Sequence, residues 1–100
     1  MIIDIVNQPR DFFKVLFETD KTQLATMTLK PGQDSGSEEI HKGDQILYVI
    51  EGHGEVEIEG VRKPVSRGQV VLIEAGKQHH VYNVSEKEFF CLNIYAPPEY

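Results

Sequence analysis

Glu39, His41 and Gln45 place a carboxylate, an imidazole and an amide oxygen close together in the chain. On an extended strand Glu39 and His41, two apart, point to the same face. Gln45 follows Gly43, where a turn or bulge can swing its amide back toward them. Such donors suit a divalent metal ion. The plainer alternative for this stretch is a solvated polar loop between strands. A fourth donor lies far downstream. His79 follows a glycine-containing turn, Ala75-Gly76-Lys77, and starts a later strand. Together Glu39, His41, Gln45 and His79 offer two nitrogens, two oxygens and a single carboxylate charge, a set that suits a first-row divalent ion with positions left open for water or substrate. The same four groups could also satisfy one another as a metal-free polar plug.

Positioning these groups falls to short strands. Residues 12–19 are aromatic and β-branched, and residues 22–29 end in a clean alternation of Leu, Thr, Met, Thr and Leu, the pattern of a half-buried strand. Asp20-Lys21 is read as the turn between them, and Pro31-Gly32 ends the second. The run 2–6 is an edge strand or a tucked-in end. Residues 46–51 are apolar on both faces, which implies burial between layers or against a partner chain. Residues 55–59 alternate strictly, and 61–65 contain Pro64, which favours a sheet edge. Residues 69–73 read as a nearly continuous buried strand, 78–83 as another, and 89–96 as the last before Pro97-Pro98. At least seven short strands with turns between them, and no stretch of helical periodicity, predict an all-β sandwich or barrel with room for one small ligand.

The totals set the outer bounds. One hundred residues form a single domain, 1–100, with one modest core. A net charge of −6 without a basic cluster argues against nucleic acid and against an anionic membrane surface. The opening residues lack the basic region and cleavage site of a secretory signal, and the lone Cys91 suits a reducing compartment, so a cytoplasmic protein is expected. Phe12, Phe13, Phe89 and Phe90, with the two-faced run 46–50, exceed what one small barrel hides, and a homodimer follows as the expectation. His80 should face away from His79. His53, between two glycines, reads as solvated, Cys91 as a packed small side chain, and Asn83 as a turn or backbone cap. Tyr48 and Tyr82 are read as sheet-surface residues or a subunit contact.

At this point the chain resembles the cupin superfamily. Gly68, Gly76, His79 and Asn83 fall on the family's second motif, G-x5-P-x-G-x2-H-x3-N, with Glu74 in place of proline. Residues 31–52 are similar to the first motif, H-x-H-x3-E-x6-G, with Glu39 at the first histidine, His41 at the second, Gln45 at the glutamate and Gly52 at the glycine. Fifteen residues separate the two motifs, about 31–52 and 68–83, a short spacing for the superfamily. The resemblance implies a double-stranded β-helix, or jelly-roll, barrel holding one divalent ion (Zn, Mn, Fe, Ni or Co) on Glu39, His41, Gln45 and His79. One carboxylate is kept, moved from the third ligand position to the first. The set is similar to that of mannose-6-phosphate isomerases with Gln and Glu exchanged, and Asp44-Gln45 and Tyr95-Ala96-Pro97-Pro98 resemble small isomerase-like cupins. That likeness implies a small polar, sugar-like ligand and, if the protein is an enzyme, metal-dependent isomerase or oxygenase chemistry. No general base is evident, because each obvious candidate is already a ligand. The alternative is a non-catalytic ligand-binding or sensor protein in which the metal is structural or absent.

Overall fold

The computed structural model describes residues 1–100 and contains eight strands and no helix. These are β1 (Phe13–Glu18), β2 (Gln23–Leu29), β3 (Asp44–Glu51), β4 (His53–Ile58), β5 (Val61–Ser66), β6 (Val70–Ile73), β7 (His79–Tyr82) and β8 (Phe89–Ala96). They form two antiparallel sheets, one ordered β1-β2-β8-β3-β6 and the other β5-β4-β7. The strand pattern's expectation of a sandwich or barrel holds, and the arrangement is the double-stranded β-helix that the resemblance implies.

Alternation decides what each strand buries. Along β8, Phe89, Cys91, Asn93 and Tyr95 point between the sheets, while Leu92 and Ile94 are only partly covered. Register aligns these side chains into layers. Met27, Cys91 and Val49 are one row, and Gln23, Tyr95, Gln45 and Ile73 are another. The interior is consequently divided along its length. Leu29, Leu47, Val49, Val56, Val81 and Phe89 belong to the apolar core, and the other end holds buried Gln23, His41, Gln45, His79, Asn93 and Tyr95.

Several sequence expectations are corrected. Residues 2–6 form no strand; they lead into a turn whose carbonyls, Val6 and Gln8, accept from Arg10. The Arg10 guanidinium lies 3.7 Å from the centre of the Phe90 ring, so Phe90 is covered by the chain's own first segment. Phe89 is wholly inside the barrel, and the phenylalanines are thus not all surplus to one barrel. The strand expected to be continuously buried at 69–73 alternates instead, with Val70 63% and Leu72 56% exposed. Its apolar outer face, like that of Ile46 and Tyr48, has no covering layer within the chain. Pro64 does sit on an edge strand, opposite Glu55.

Asn83 is a fold residue, as its turn-cap reading anticipates. Its Nδ2 donates to the carbonyls of Leu29 (2.8 Å) and Lys87 (2.7 Å), and its Oδ1 accepts from Ser85 N (2.9 Å) and Oγ (2.7 Å). Asn83→Ala leaves the buried Leu29 carbonyl without this donor, at a cost of roughly 2–3 kcal/mol. Chemical denaturation should show that loss with an unchanged metal content; a variant as stable as wild type contradicts the role.

Candidate metal centre

Backbone pairing brings the two motif segments together. Glu39 and His79 exchange both amide hydrogen bonds as an isolated antiparallel bridge, Glu39 N to His79 O at 3.0 Å and His79 N to Glu39 O at 2.9 Å. Residues so paired carry their side chains on one face. Two further bonds tie the β6–β7 turn to the same segment: Gly76 N donates to His41 O (2.9 Å), and Ala75 N donates to an Asp44 carboxylate oxygen (2.9 Å). The strand expected to carry Glu39 and His41 is reduced to this bridge. Its alternation survives nonetheless, with Ile40 exposed and His41 buried. Gly43 is required by close approach, since a Cβ there would lie 2.4 Å from Ala96 O and 2.5 Å from Pro97 Cδ. The segment after β8 passes through that gap.

Three of the four expected ligands converge. One donor atom from each of Glu39, His41 and His79 lies within 4.8 Å of the others, and His41 Nε2 is 2.8 Å from Glu39 Oε2. The two imidazoles meet edge to face with centroids 4.6 Å apart. Gln45 lines the same cavity, of about 200 Å³, from the neighbouring strand. Its Nε2 donates to Asn93 Oδ1 at 3.1 Å, and its buried Oε1 has no partner. A buried acceptor left bare on a residue that lines the same cavity as two imidazoles and a carboxylate fits a cation, whereas a self-satisfied plug would pair it.

His79 is held in the neutral form with one nitrogen free. Its Nδ1 lies 3.1 Å from the Lys77 carbonyl, which places the proton there and leaves the other nitrogen's lone pair free. Burial is the main force lowering its pKa from 6.5, helped by the neighbouring His41 and opposed by the Lys77 carbonyl and Glu39. The neutral imidazole is the form a metal binds. For Glu39, burial raises the carboxyl pKa, but hydrogen bonds from Tyr100 and His41 outweigh it and the net shift is downward. His41 Nδ1 has no partner, so its orientation rests on Nε2.

Both net shifts have the same sign in linkage. Each group is less readily protonated in the folded chain than in the unfolded one, so its contribution is present above its ordinary value and lost as pH falls. Metal-free protein should lose stability from about pH 6.5 downward as His79 protonates, then further through the carboxylate range, by denaturant titration across pH. Stability that is flat or rising from pH 7 to 5 contradicts this.

Residues outside the expected four complete the site. The Tyr100 hydroxyl bonds to Glu39 Oε2 and lies 3.0 Å from His41 Nε2. Its ring packs against Phe13, Tyr95 and His41 with centroids 4.9, 5.1 and 5.6 Å away. Fully buried Gln23 clasps this segment: its Oε1 accepts from Tyr100 N (3.0 Å) and Glu99 N (3.2 Å), and its Nε2 donates to Tyr100 O. Burial, then the Glu39 carboxylate, keeps the Tyr100 phenol protonated far above the usual range. Asn93 and Tyr95, which the sequence reading did not single out, lie on the inward face of β8 that its alternation defines. Tyr100 was not, because it lies beyond the two prolines where no periodicity reaches. His80 faces outward, 3.4 Å from Asp34 and stacked on Tyr82, and His53 is exposed, as expected. Cys91 is wholly buried, which raises its thiol pKa.

The cupin domain family matches residues 25–95. Among solved structures, BH2720 from Bacillus halodurans is 31% identical, with a TM-score of 0.92 over 100% of this chain and 83% of that one. A predicted oxalate decarboxylase from Thermotoga maritima is 26% identical, with a TM-score of 0.71 over 76% of this chain and 66% of that one. A cupin superfamily protein from Desulfitobacterium hafniense shares the fold at 20% identity, with a TM-score of 0.77 over 86% of this chain and 76% of that one. No curated protein matches the chain.

Proposed function

The chain belongs to the cupin family, and from that premise we propose that it holds one divalent metal ion on Glu39, His41, Gln45 and His79, where a small molecule binds at the ion's open position. The observation that carries this reading is the convergence of Glu39, His41 and His79 within 4.8 Å beside the unpaired, buried oxygen of Gln45. Zn, Mn, Fe, Ni and Co all accept such a mixed nitrogen and oxygen set. When bound, the ion supplies Lewis-acid polarisation of an oxygen on the small molecule. The protein's own groups supply orientation and partial exclusion of water.

Binding is favoured over turnover by what lines the cavity. Its carboxylate and both imidazoles belong to the ion, and its two phenols are held protonated. None is free to abstract a proton, as an isomerase of the kind the sequence resembles requires. Dialysis against each of the five ions followed by elemental analysis tests the proposal. One equivalent per wild-type chain and loss of most of it in the His41→Ala, His79→Ala double variant support it; equal contents in both overturn it.

The proposal extends to a homodimer. Ile46 pairs with Leu72 and Tyr48 with Val70, forming two adjacent rows on the outer face of the five-stranded sheet. All four side chains are between 37% and 63% exposed, and β6 is the sheet's edge. A second copy covering this face removes both the apolar patch and the open edge. Sedimentation equilibrium at micromolar concentration should give twice the chain mass, falling to the chain mass in Tyr48→Arg. A monomeric wild type contradicts the dimer.

A further inference from the structure

The cavity beside the metal centre has a distinctive wall. Phe12, Phe13, Met27, Val81, Tyr95 and Tyr100 line it, and no lysine or arginine does. Its polar groups gather at one place. Glu39, His41, Gln45 and His79 are the groups assigned to the ion, and the Tyr100 hydroxyl lies on two of them. The remaining polar lining groups are the single hydroxyl of Tyr95 and Ser35, whose oxygen is engaged by Val81 N at 3.0 Å. A remote phosphate or carboxylate would therefore lose water without gaining a cationic partner. The chain's net charge of −6 adds a general repulsion. A body rich in hydroxyl groups would meet the same apolar wall and leave its hydrogen bonds unmade.

The volume sets the size. About 200 Å³ remains with Tyr100 in place, room for roughly seven waters' share of liquid volume. Tyr100 is thus a wall of the cavity and does not fill it. Its hydroxyl, held over the ligand cluster by the grip of buried Gln23 on the backbone at Tyr100, is placed to donate to whatever oxygen meets the ion. The hydroxyl now donates to Glu39 Oε2, and an ion that takes that oxygen and His41 Nε2 occupies both of its partners and leaves the proton for the ligand's oxygen.

We propose that the site takes a small molecule with an apolar body and a single oxygen-bearing end, that end directed at the ion, and that Tyr100 is the residue that hydrogen-bonds it. This rests on the metal-centre reading and narrows its ligand class away from sugar phosphates. Catechol, with both hydroxyls on one edge of an apolar ring, has the proposed form, and acetoin approaches it with two adjacent oxygens flanked only by methyl groups; glyceraldehyde 3-phosphate and glycerol have polar bodies.

Isothermal titration of zinc-loaded protein with each of the four, with zinc content measured on the same sample, tests the proposal. Catechol and acetoin should bind at least about tenfold more tightly than glyceraldehyde 3-phosphate and glycerol. Tyr100→Phe should weaken catechol about tenfold per bound zinc, the worth of one hydrogen bond. Zinc-loaded protein that binds neither catechol nor acetoin, or that prefers a polar-bodied probe, overturns the ligand class while the metal centre stands. Catechol affinity unchanged in Tyr100→Phe overturns the role of Tyr100. Protein that takes up no zinc sinks the underlying reading itself.

Discussion

His79→Ala should bind its divalent ion more than about 100-fold less tightly than wild type, a larger loss than the 10–100-fold typical of changes just outside a coordination shell. Of the four groups, His79 is the one whose free nitrogen is fixed in advance, by its bond to the Lys77 carbonyl and by burial that keeps the ring neutral. Its removal leaves Glu39 and His41 with no third strong donor, because the Gln45 amide oxygen carries no charge. The backbone bridge between positions 39 and 79 uses main-chain atoms only and survives the substitution. Metal titration by competition with a chromophoric chelator reads the affinity, and circular dichroism checks the fold. A folded variant with wild-type affinity would remove His79 from the centre.

The second large effect belongs to the opposite end of the barrel. Phe89 is completely buried, and its ring lies directly against Gly54, where an added Cβ would come within 2.4 Å of Cε2. Phe89→Ala should cost about 3–5 kcal/mol through lost burial and the cavity left behind. For a domain of this size each kcal/mol moves the melting temperature by roughly 4–8 °C. Calorimetry on metal-free protein measures the fall, and metal content at low temperature, where the variant remains folded, should match wild type. The pair of variants separates the two halves of the interior: one loses metal and keeps stability, the other loses stability and keeps metal. A loss below 1 kcal/mol in Phe89→Ala contradicts the assignment of the core.

What the sequence disclosed, and what it hid, follows from how far each physical signal reaches. Alternation within strands is local, so residues 22–29, 55–59 and 89–96 were legible as strands. The placing of Glu39, His41, Gln45 and His79 in one site came from motif spacing across two segments. Solvent exposure on the outer sheet face was not legible, because Val70 and Leu72 are as apolar as core residues and only the absence of a covering layer distinguishes them. The burial of Phe90 depends on Arg10, eighty positions away in a segment without periodicity. Tyr100 was hidden for a similar reason. Its place in the site is dictated by Gln23, whose buried amide grips the backbone there, and glutamine in a strand announces no such role. The unpaired oxygen of Gln45 needed the partner of its own nitrogen, Asn93, to be known first.

The most direct test of the metal centre is a crystal of the ion-loaded protein measured at the ion's absorption edge. The account predicts one anomalous peak per chain, about 2.0–2.2 Å from donor atoms of Glu39, His41, Gln45 and His79. A peak bound elsewhere on the chain, or an ion-soaked crystal with no peak between His41 and His79, contradicts it.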